Sequence, residues 1–244
     1  RVLFRSSGGD TLNPQFKKEI DDFLRDHGSK TTVRCGYGLT ESTGACCLNP
    51  KQEYRDNSIG IPLPDMDFKI VKEKTTTQAD YMEDGEICIS GPSVMLGYLN
   101  NQEETKEVKK RHSDGKVWLH TGDIGCMDQD GFVYFKQRLK RMIVSSGYNI
   151  YPSYMEDIIR KNEYVDTCCV IGMLHPYKKQ VPKVYIVLKD GIKPTNNIKK
   201  EIKKYCEENL VKYSWPYEYI YRDSLPKTLV GKVAYRELED EVIK

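Results

Sequence analysis

Apolar positions change their spacing several times along the chain, and each change predicts a different kind of element. Phe16, Ile20, Phe23 and Leu24 share one face at helical spacing. Asn13 can cap that helix, Pro14 can open it, and His27-Gly28 end it, which predicts an amphipathic helix packed on a sheet. Thr32 to Cys35 is a short β-prone run that delivers the chain into Gly-Tyr-Gly-Leu-Thr-Glu, read as a strand followed by a loop. Functional residues gather at such strand ends. From Ile59 to Phe135 the pattern becomes short and alternating, with Phe68/Ile70, Ile87/Ile89 and Phe132 to Phe135 separated by turns at Glu83-Asp84-Gly85 and Asp130-Gly131. A small β-barrel or sandwich is expected there. Beyond Lys140 a helix opens at Pro152 with Met155, Ile158 and Ile159 on one side, and strands follow at Cys168 to Met173 and Val184 to Leu188. A second helix fits Thr195 to Asn209, capped by Thr195, with Ile198, Ile202, Tyr205 and Cys206 facing inward. The last hundred or so residues read as a separate α+β domain.

Composition narrows the classes of function. With 38 Lys and Arg against 36 Asp and Glu in 244 residues, the net charge of +2 points to neither nucleic acid nor an anionic membrane. The longest apolar run, Cys168 to Leu174, is far shorter than the ~20 residues of a membrane span. The eight cysteines form no CxxC pair, which fits free thiols in a reducing cytoplasm, and the four histidines stand singly, as ordinary polar or half-buried side chains. The lysine-rich stretch Lys106 to Arg111 reads as a solvated surface.

The chemistry lies in an ordered set of segments: SGGDTL (7–12), GYGLTE (36–41), GEICISGPSVMLGYLN (85–100), HTGD (120–123), QRLKRMIVSSGYNIYP (137–152) and LPKTLVGK (225–232). Each is weak alone, but their order is specific. Together they resemble the AMP-forming acyl-CoA synthetases and their relatives, the luciferases and peptide-synthetase adenylation domains, from Ser7 onward. The resemblance implies a mixed α/β and α+β fold. Residues 1–139 are then the end of a large AMP-binding domain, an α/β part plus a small barrel, and residues 140–244 a smaller, mobile α+β domain.

It also implies the reaction. A carboxylate attacks the α-phosphate of ATP to give an acyl-adenylate and pyrophosphate, and the thiol of coenzyme A then displaces AMP. Two anions meet in the first step, so cations and hydrogen-bond donors must face the phosphoryl group. By resemblance Lys232 is the catalytic lysine, Thr40 donates to the α-phosphate and Glu41 holds Mg²⁺, a hard cation suited to oxygen ligands. Gly36, Tyr37 and Gly38 receive the nucleotide, Tyr37 stacking on adenine. Gly8, Gly9 and Asp10 cover the other face of the base, with Asp10 where alanine is common in the family. Asp123 takes the ribose hydroxyls, and Arg138 assists at ribose and phosphate with its fork of donors. Gln137 stands where the family often has glycine. Lys140 matches the hinge at which the last domain turns between its two poses, and Ser146 and Gly147 line the pantetheine tunnel. There the family frequently has Gly-Gly-Glu in place of Ser146-Gly147-Tyr148.

A fatty acid is the expected substrate class and the cytoplasm the expected location. The alternatives are adenylation of an amino or aryl acid for a carrier protein, and a non-catalytic nucleotide-binding remnant. The family's loop for the β- and γ-phosphates is expected to precede Ser7 by a long stretch, so the chain alone is expected to be inactive. Arg1 to Ser6 reads as a translated adapter ahead of a coding sequence that starts near Ser7.

Overall fold

The structure is a computed structural model that describes residues 5–7, 14–229 and 231–243. Gly8, Gly9, Asp10 and the proposed cap Asn13 lie outside the described residues. The chain divides into two compact units, Arg1–Lys136 and Gln137–Lys244.

In the first unit, β1 (Arg5–Ser7) runs parallel to β2 (Val33–Leu39), which pairs antiparallel with β3 (Gly44–Leu48), and β3 with β4 (Ile61–Pro62). Between β1 and β2 lies α1 (Pro14–Asp26). Its apolar stripe is not fully covered: Ile20 and Leu24 are half-buried, while Phe16 and Phe23 remain 56% and 60% exposed. Polar bonds dock the helix instead. Asp21 accepts the Val33 N–H at 2.7 Å and the Lys17 ammonium at 2.6 Å, and that ammonium sits 4.3 Å from the centre of the Tyr54 ring.

The alternating middle region forms one five-stranded antiparallel sheet of β5 (Asp67–Val71), β6 (Gly85–Ser90), β7 (Lys109–Arg111), β8 (Val117–Met127) and β9 (Val133–Arg138). It is an open sheet, which corrects the expected small barrel. The long β8 pairs with β6 along one edge, and β7 and β9 divide its other edge, so among the described residues no strand returns to close the sheet on β5. Ile70, Ile87, Ile89, Leu119 and Val133 pack with Cys46 of β3 into one core. Fully burying each such aliphatic side chain stabilises the unit by roughly 1.5–3 kcal/mol. Leading into the lysine-rich stretch the chain forms α2 (Gln102–Val108), capped by Asn101, whose side chain accepts the Glu104 N–H at 3.1 Å.

In the second unit, β10 (Ile143–Ser145), β11 (Tyr148–Ile150), β12 (Val165–His175), β13 (Lys179–Leu188) and β14 (Glu218–Tyr221) form a mixed sheet in which only β14 runs parallel to its neighbour. Helices α3 (Pro152–Ile159) and α4 (Asn196–Asn209) cover one face and α5 (Tyr235–Ile243) the other. This explains the uninterrupted apolar run Cys168-Cys169-Val170-Ile171. Successive strand residues face opposite ways, and both faces are buried: Cys168 and Val170 pack with Met155, Ile159, Ile202 and Cys206, whereas Cys169 and Ile171 pack with Leu238. All eight cysteines are free.

Candidate functional site

The Gly-Tyr-Gly segment is strand, not the loop expected after Cys35. β2 continues through Leu39 because the two glycines let β3 lie close against it. A Cβ at Gly38 would stand 2.0 Å from the Gly44 carbonyl oxygen, and one at Gly36 would stand 3.0 Å from that of Cys47. The strand then breaks into a single 3₁₀ turn, Thr40–Ser42. Ser42 makes the break: its buried hydroxyl accepts the Leu39 N–H at 3.1 Å and lies 3.0 Å from the Leu39 carbonyl and 2.8 Å from that of Gly44. Thr40 is left exposed at the apex and Glu41 half-buried beside it.

Tyr37 and Asp123 are brought together from 86 residues apart. The Tyr37 hydroxyl donates to Asp123 Oδ2 at 2.6 Å, and the Tyr37 ring sits 6.4 Å from both Phe68 and Phe135. Burial first, and the Asp123 carboxylate second, push the Tyr37 phenol far above its usual range, so it remains a donor. Asp123 is only 1% exposed. Glu41 has a partner not foreseen in the sequence: Tyr98, from the segment GYLN, donates its hydroxyl to Glu41 Oε1 at 2.8 Å. The residues just before that segment grip the turn through the backbone, with Met95 N–H on the Glu41 carbonyl at 2.8 Å.

Residues that sequence reasoning passed over lie beneath Asp123. Glu86 accepts the Gly122 N–H at 2.9 Å on Oε1, and its Oε2 lies 2.7 Å from His120 Nδ1. His120 Nε2 is 2.9 Å from Nε2 of His112, so two histidines eight residues apart in sequence form a buried pair. Burial would raise the Glu86 carboxyl, but the hydrogen bonds from His120 and the Gly122 N–H help to outweigh it and hold it below the usual value. Burial, aided by Lys69, lowers His112. Donor atoms of Glu86, Cys88 and His120 lie within 4.8 Å of one another, the spacing of a possible metal site. Hydrogen bonds already engage both carboxylate oxygens, and burial raises the Cys88 thiol far above its usual value, so the cluster is explained without an ion.

In the second unit, Arg138 and Lys140 are exposed at the end of β9 and in the 3₁₀ turn Leu139–Arg141. Their neighbour Arg141 is anchored instead, 2.5 Å from the buried Glu156 carboxylate, which also takes the Val170 N–H at 2.8 Å. Ser146 and Gly147 form the two-residue turn of the β10–β11 hairpin, with φ of 50° and 85°, the left-handed pair such a turn requires. Lys232 is exposed on a short loop closed by backbone bonds from Thr228 N to the Lys232 carbonyl (2.7 Å) and from Gly231 N to the Thr228 carbonyl (2.8 Å). The Thr228 hydroxyl adds a further bond, accepting the Lys232 N–H at 3.2 Å. Thus Tyr37, Thr40, Glu41 and Asp123 belong to one unit, and Arg138, Lys140, Ser146, Gly147 and Lys232 to the other.

Residues 1–99 match the family model described as AMP-binding enzyme, and residues 154–232 the model of its C-terminal domain. The chain belongs to the AMP-binding enzyme family. Among relatives of the chain, a long-chain-fatty-acid–CoA ligase of Salmonella typhimurium is 38% identical over 84% of the chain and 35% of its own length. A probable 4-coumarate–CoA ligase of Dictyostelium discoideum is 32% identical over 98% of the chain and 42% of its own length. Among solved structures, o-succinylbenzoate CoA synthetase of Bacillus subtilis, in complex with its acyl-adenylate intermediate, superposes with a TM-score of 0.79 at 29% identity, covering 98% of this chain and 46% of that one. The chain therefore spans less than half the length of each of these relatives. Among the described residues, no helix is long and apolar enough to cross a membrane.

Proposed function

We propose that the complete enzyme activates a carboxylic acid, most directly a fatty acid, by adenylation with ATP and transfers the acyl group to coenzyme A in the cytoplasm. The observation that carries this reading is the Tyr37–Asp123 hydrogen bond. It sets an aromatic ring and an ionisable acceptor at a fixed separation, as recognition of an adenosine requires. The fatty acid is supported by the name of the Salmonella relative, and an aryl acid by that of the Dictyostelium one.

The roles follow from the chemistry of two anions. The acid's carboxylate oxygen attacks the α-phosphorus and pyrophosphate leaves. Thr40, exposed at its turn, donates to an α-phosphate oxygen, and Lys232 offsets the charge that develops there. Tyr37, between Gly36 and Gly38, holds the adenine, Asp123 the ribose, and Arg138 the ribose and phosphate, with Gly8, Gly9 and Asp10 on the far side of the base. Glu41 fits Mg²⁺, since a single carboxylate steadied by Tyr98 suits a cation that otherwise keeps waters and substrate phosphates. The ion supplies charge neutralisation to the pyrophosphate leaving group. In the second step the thiolate of coenzyme A attacks the acyl carbonyl carbon and AMP departs. Ser146 and Gly147 line the thiol's approach, and Lys140 is the turning point between the steps.

Pyrophosphate exchange into ATP, measured on the complete enzyme with hexadecanoic acid or 4-coumaric acid, tests the first step. Acyl-CoA detected by mass spectrometry tests the second. Exchange stimulated by hexadecanoic acid and capture by coenzyme A are expected. Exchange with the aryl acid alone would move the substrate class, and capture by a carrier protein but not coenzyme A would favour the alternative enzyme. Absence of any acid-dependent exchange would leave only a nucleotide-binding role.

A further inference from the structure

Asp123 follows a residue held in the left-handed region that glycine alone adopts freely. Gly122 has φ of 70°, and the bend Thr121-Gly122-Asp123 leaves β-sheet pairing where the β6–β8 register shifts between Glu86 and Cys88. Glu86 occupies that irregularity, and its two oxygens are used separately. One takes the Gly122 N–H at 2.9 Å and the other faces His120 Nδ1 at 2.7 Å, with His112 bonded behind His120 at 2.9 Å. Thr121 completes the bend: its hydroxyl donates to the Ile87 carbonyl at 2.7 Å and accepts the Asp123 N–H at 3.1 Å.

We infer that Glu86 and His120 are positioning residues for the nucleotide: the carboxylate holds the Gly122 peptide, His120 holds the carboxylate, and together they fix where Asp123 and its Tyr37 partner stand. The inference rests on the reading of Asp123 as the ribose acceptor.

Proton accounting supports it. An ionised Glu86 accepts from both Gly122 N–H and His120 Nδ1–H. His120, donating from Nδ1, then offers Nε2 as an acceptor, His112 donates to it from Nε2, and His112 Nδ1 is left as a lone pair. That nitrogen is the one found buried with no hydrogen-bond partner, and a bare lone pair costs less there than a bare N–H. The groups that face this chain favour the same arrangement. Burial first, then Lys69 of β5, itself bonded to Asp114 at 2.9 Å and stacked over Trp118 at 4.1 Å, disfavour a proton on His112; Asp114 pulls the other way, and Lys110 of β7 adds a smaller effect in the same sense as Lys69. Cys88 of β6, a buried neutral thiol, adds no charge. Reversing the chain would end on a buried His112 N–H with no acceptor.

Glu86→Gln forces that reversal with almost no change of shape, because its amide donates where the carboxylate accepted. His120→Asn breaks the next bond along. Both variants of the complete enzyme, and the double variant, would be compared for AMP affinity by calorimetry, for KM and kcat in pyrophosphate exchange, and for thermal midpoint. Each single change should raise the AMP Kd and the ATP KM about tenfold, the scale of a lost charge-assisted hydrogen bond, with kcat within about twofold of wild type. The double variant should be no more than about twofold worse than the weaker single one, because both act on one chain of bonds. Should Glu86→Gln not fold, His120→Asn carries the same expectation alone. Folded variants with unchanged AMP affinity overturn the inference, as does a fall in kcat at constant KM, which would place these groups in the chemistry. A wild-type enzyme that binds no AMP overturns instead the ribose reading beneath it.

Discussion

Tyr37 couples recognition to geometry through a single hydroxyl. Its ring lies beside Phe68 and Phe135, and the phenol donates to a nearly inaccessible Asp123 at 2.6 Å. Tyr37→Phe keeps the aromatic face but leaves that carboxylate short of a donor. AMP affinity should fall by about three- to tenfold, the usual cost of losing one hydrogen bond to a charged group, with little change in thermal midpoint. Calorimetric titration of the complete enzyme checks it, and an unchanged Kd would mean that the bond plays no part in binding. Both residues were legible in the sequence, because each lies in a motif whose chemistry is recognisable in one dimension. Their mutual bond was not, since a contact across 86 residues leaves no mark in local spacing. Glu86 and His120 were hidden for a second reason: Glu86 sits in an alternating strand, where a polar residue ordinarily faces water, and nothing in its own spacing marks the irregularity of the neighbouring β8 whose Gly122 N–H it accepts. Tyr98 has the same history, as its role depends on GYLN folding back over the turn that carries Glu41.

At the scale of elements, the nucleotide strand depends on close approach. Gly38→Ala would drive a Cβ to 2.0 Å from the Gly44 carbonyl oxygen, and a strand backbone cannot yield as a flexible side chain does. Destabilisation of about 3 kcal/mol in chemical unfolding is expected, at the upper end of overpacking costs. The sheet beneath it carries an acid sensitivity of definite sign. His112 is held below its ordinary value of 6.5, so on acidification the unfolded chain takes up a proton that the folded one resists. Stability should therefore fall as pH drops below about 6.5, and His112→Gln should flatten that part of the profile in thermal melts between pH 7 and 5. Glu86, held low, adds its own loss only at lower pH, as its carboxylate protonates. Strands and helices with clean periodicity were readable in advance: α4 begins after Thr195 and ends at Asn209 as its cap and apolar face imply. The barrel misled because alternation reports a half-buried sheet and says nothing of closure. The helix α2 was overlooked because its charged residues masked the capping pair Asn101 and Glu104.

At the scale of the molecule, residues of the proposed first step are divided between two units, Thr40 and Glu41 in one and Lys232 in the other. The second unit has a core of its own on both faces of its sheet, so Gln137–Lys244 expressed alone should melt cooperatively. A broad, non-cooperative melt would show that it borrows stability from the rest. The boundary also predicts what a rigid turn does. Lys140→Pro fixes φ near ~−65° in the short turn before the anchored Arg141, and should leave a pyrophosphate burst while steady acyl-CoA output falls about tenfold or more. Undiminished output would place the turning point elsewhere. The central claim is that Lys232 acts on the transferring phosphoryl group and not on the thioester step. It is tested most directly by measuring the two half-reactions separately in the complete Lys232→Ala enzyme. The account predicts a loss on the order of 10²–10³ in acyl-adenylate formation, with thioester formation from supplied acyl-adenylate preserved. Equal loss in both half-reactions, or none in the first, would contradict it.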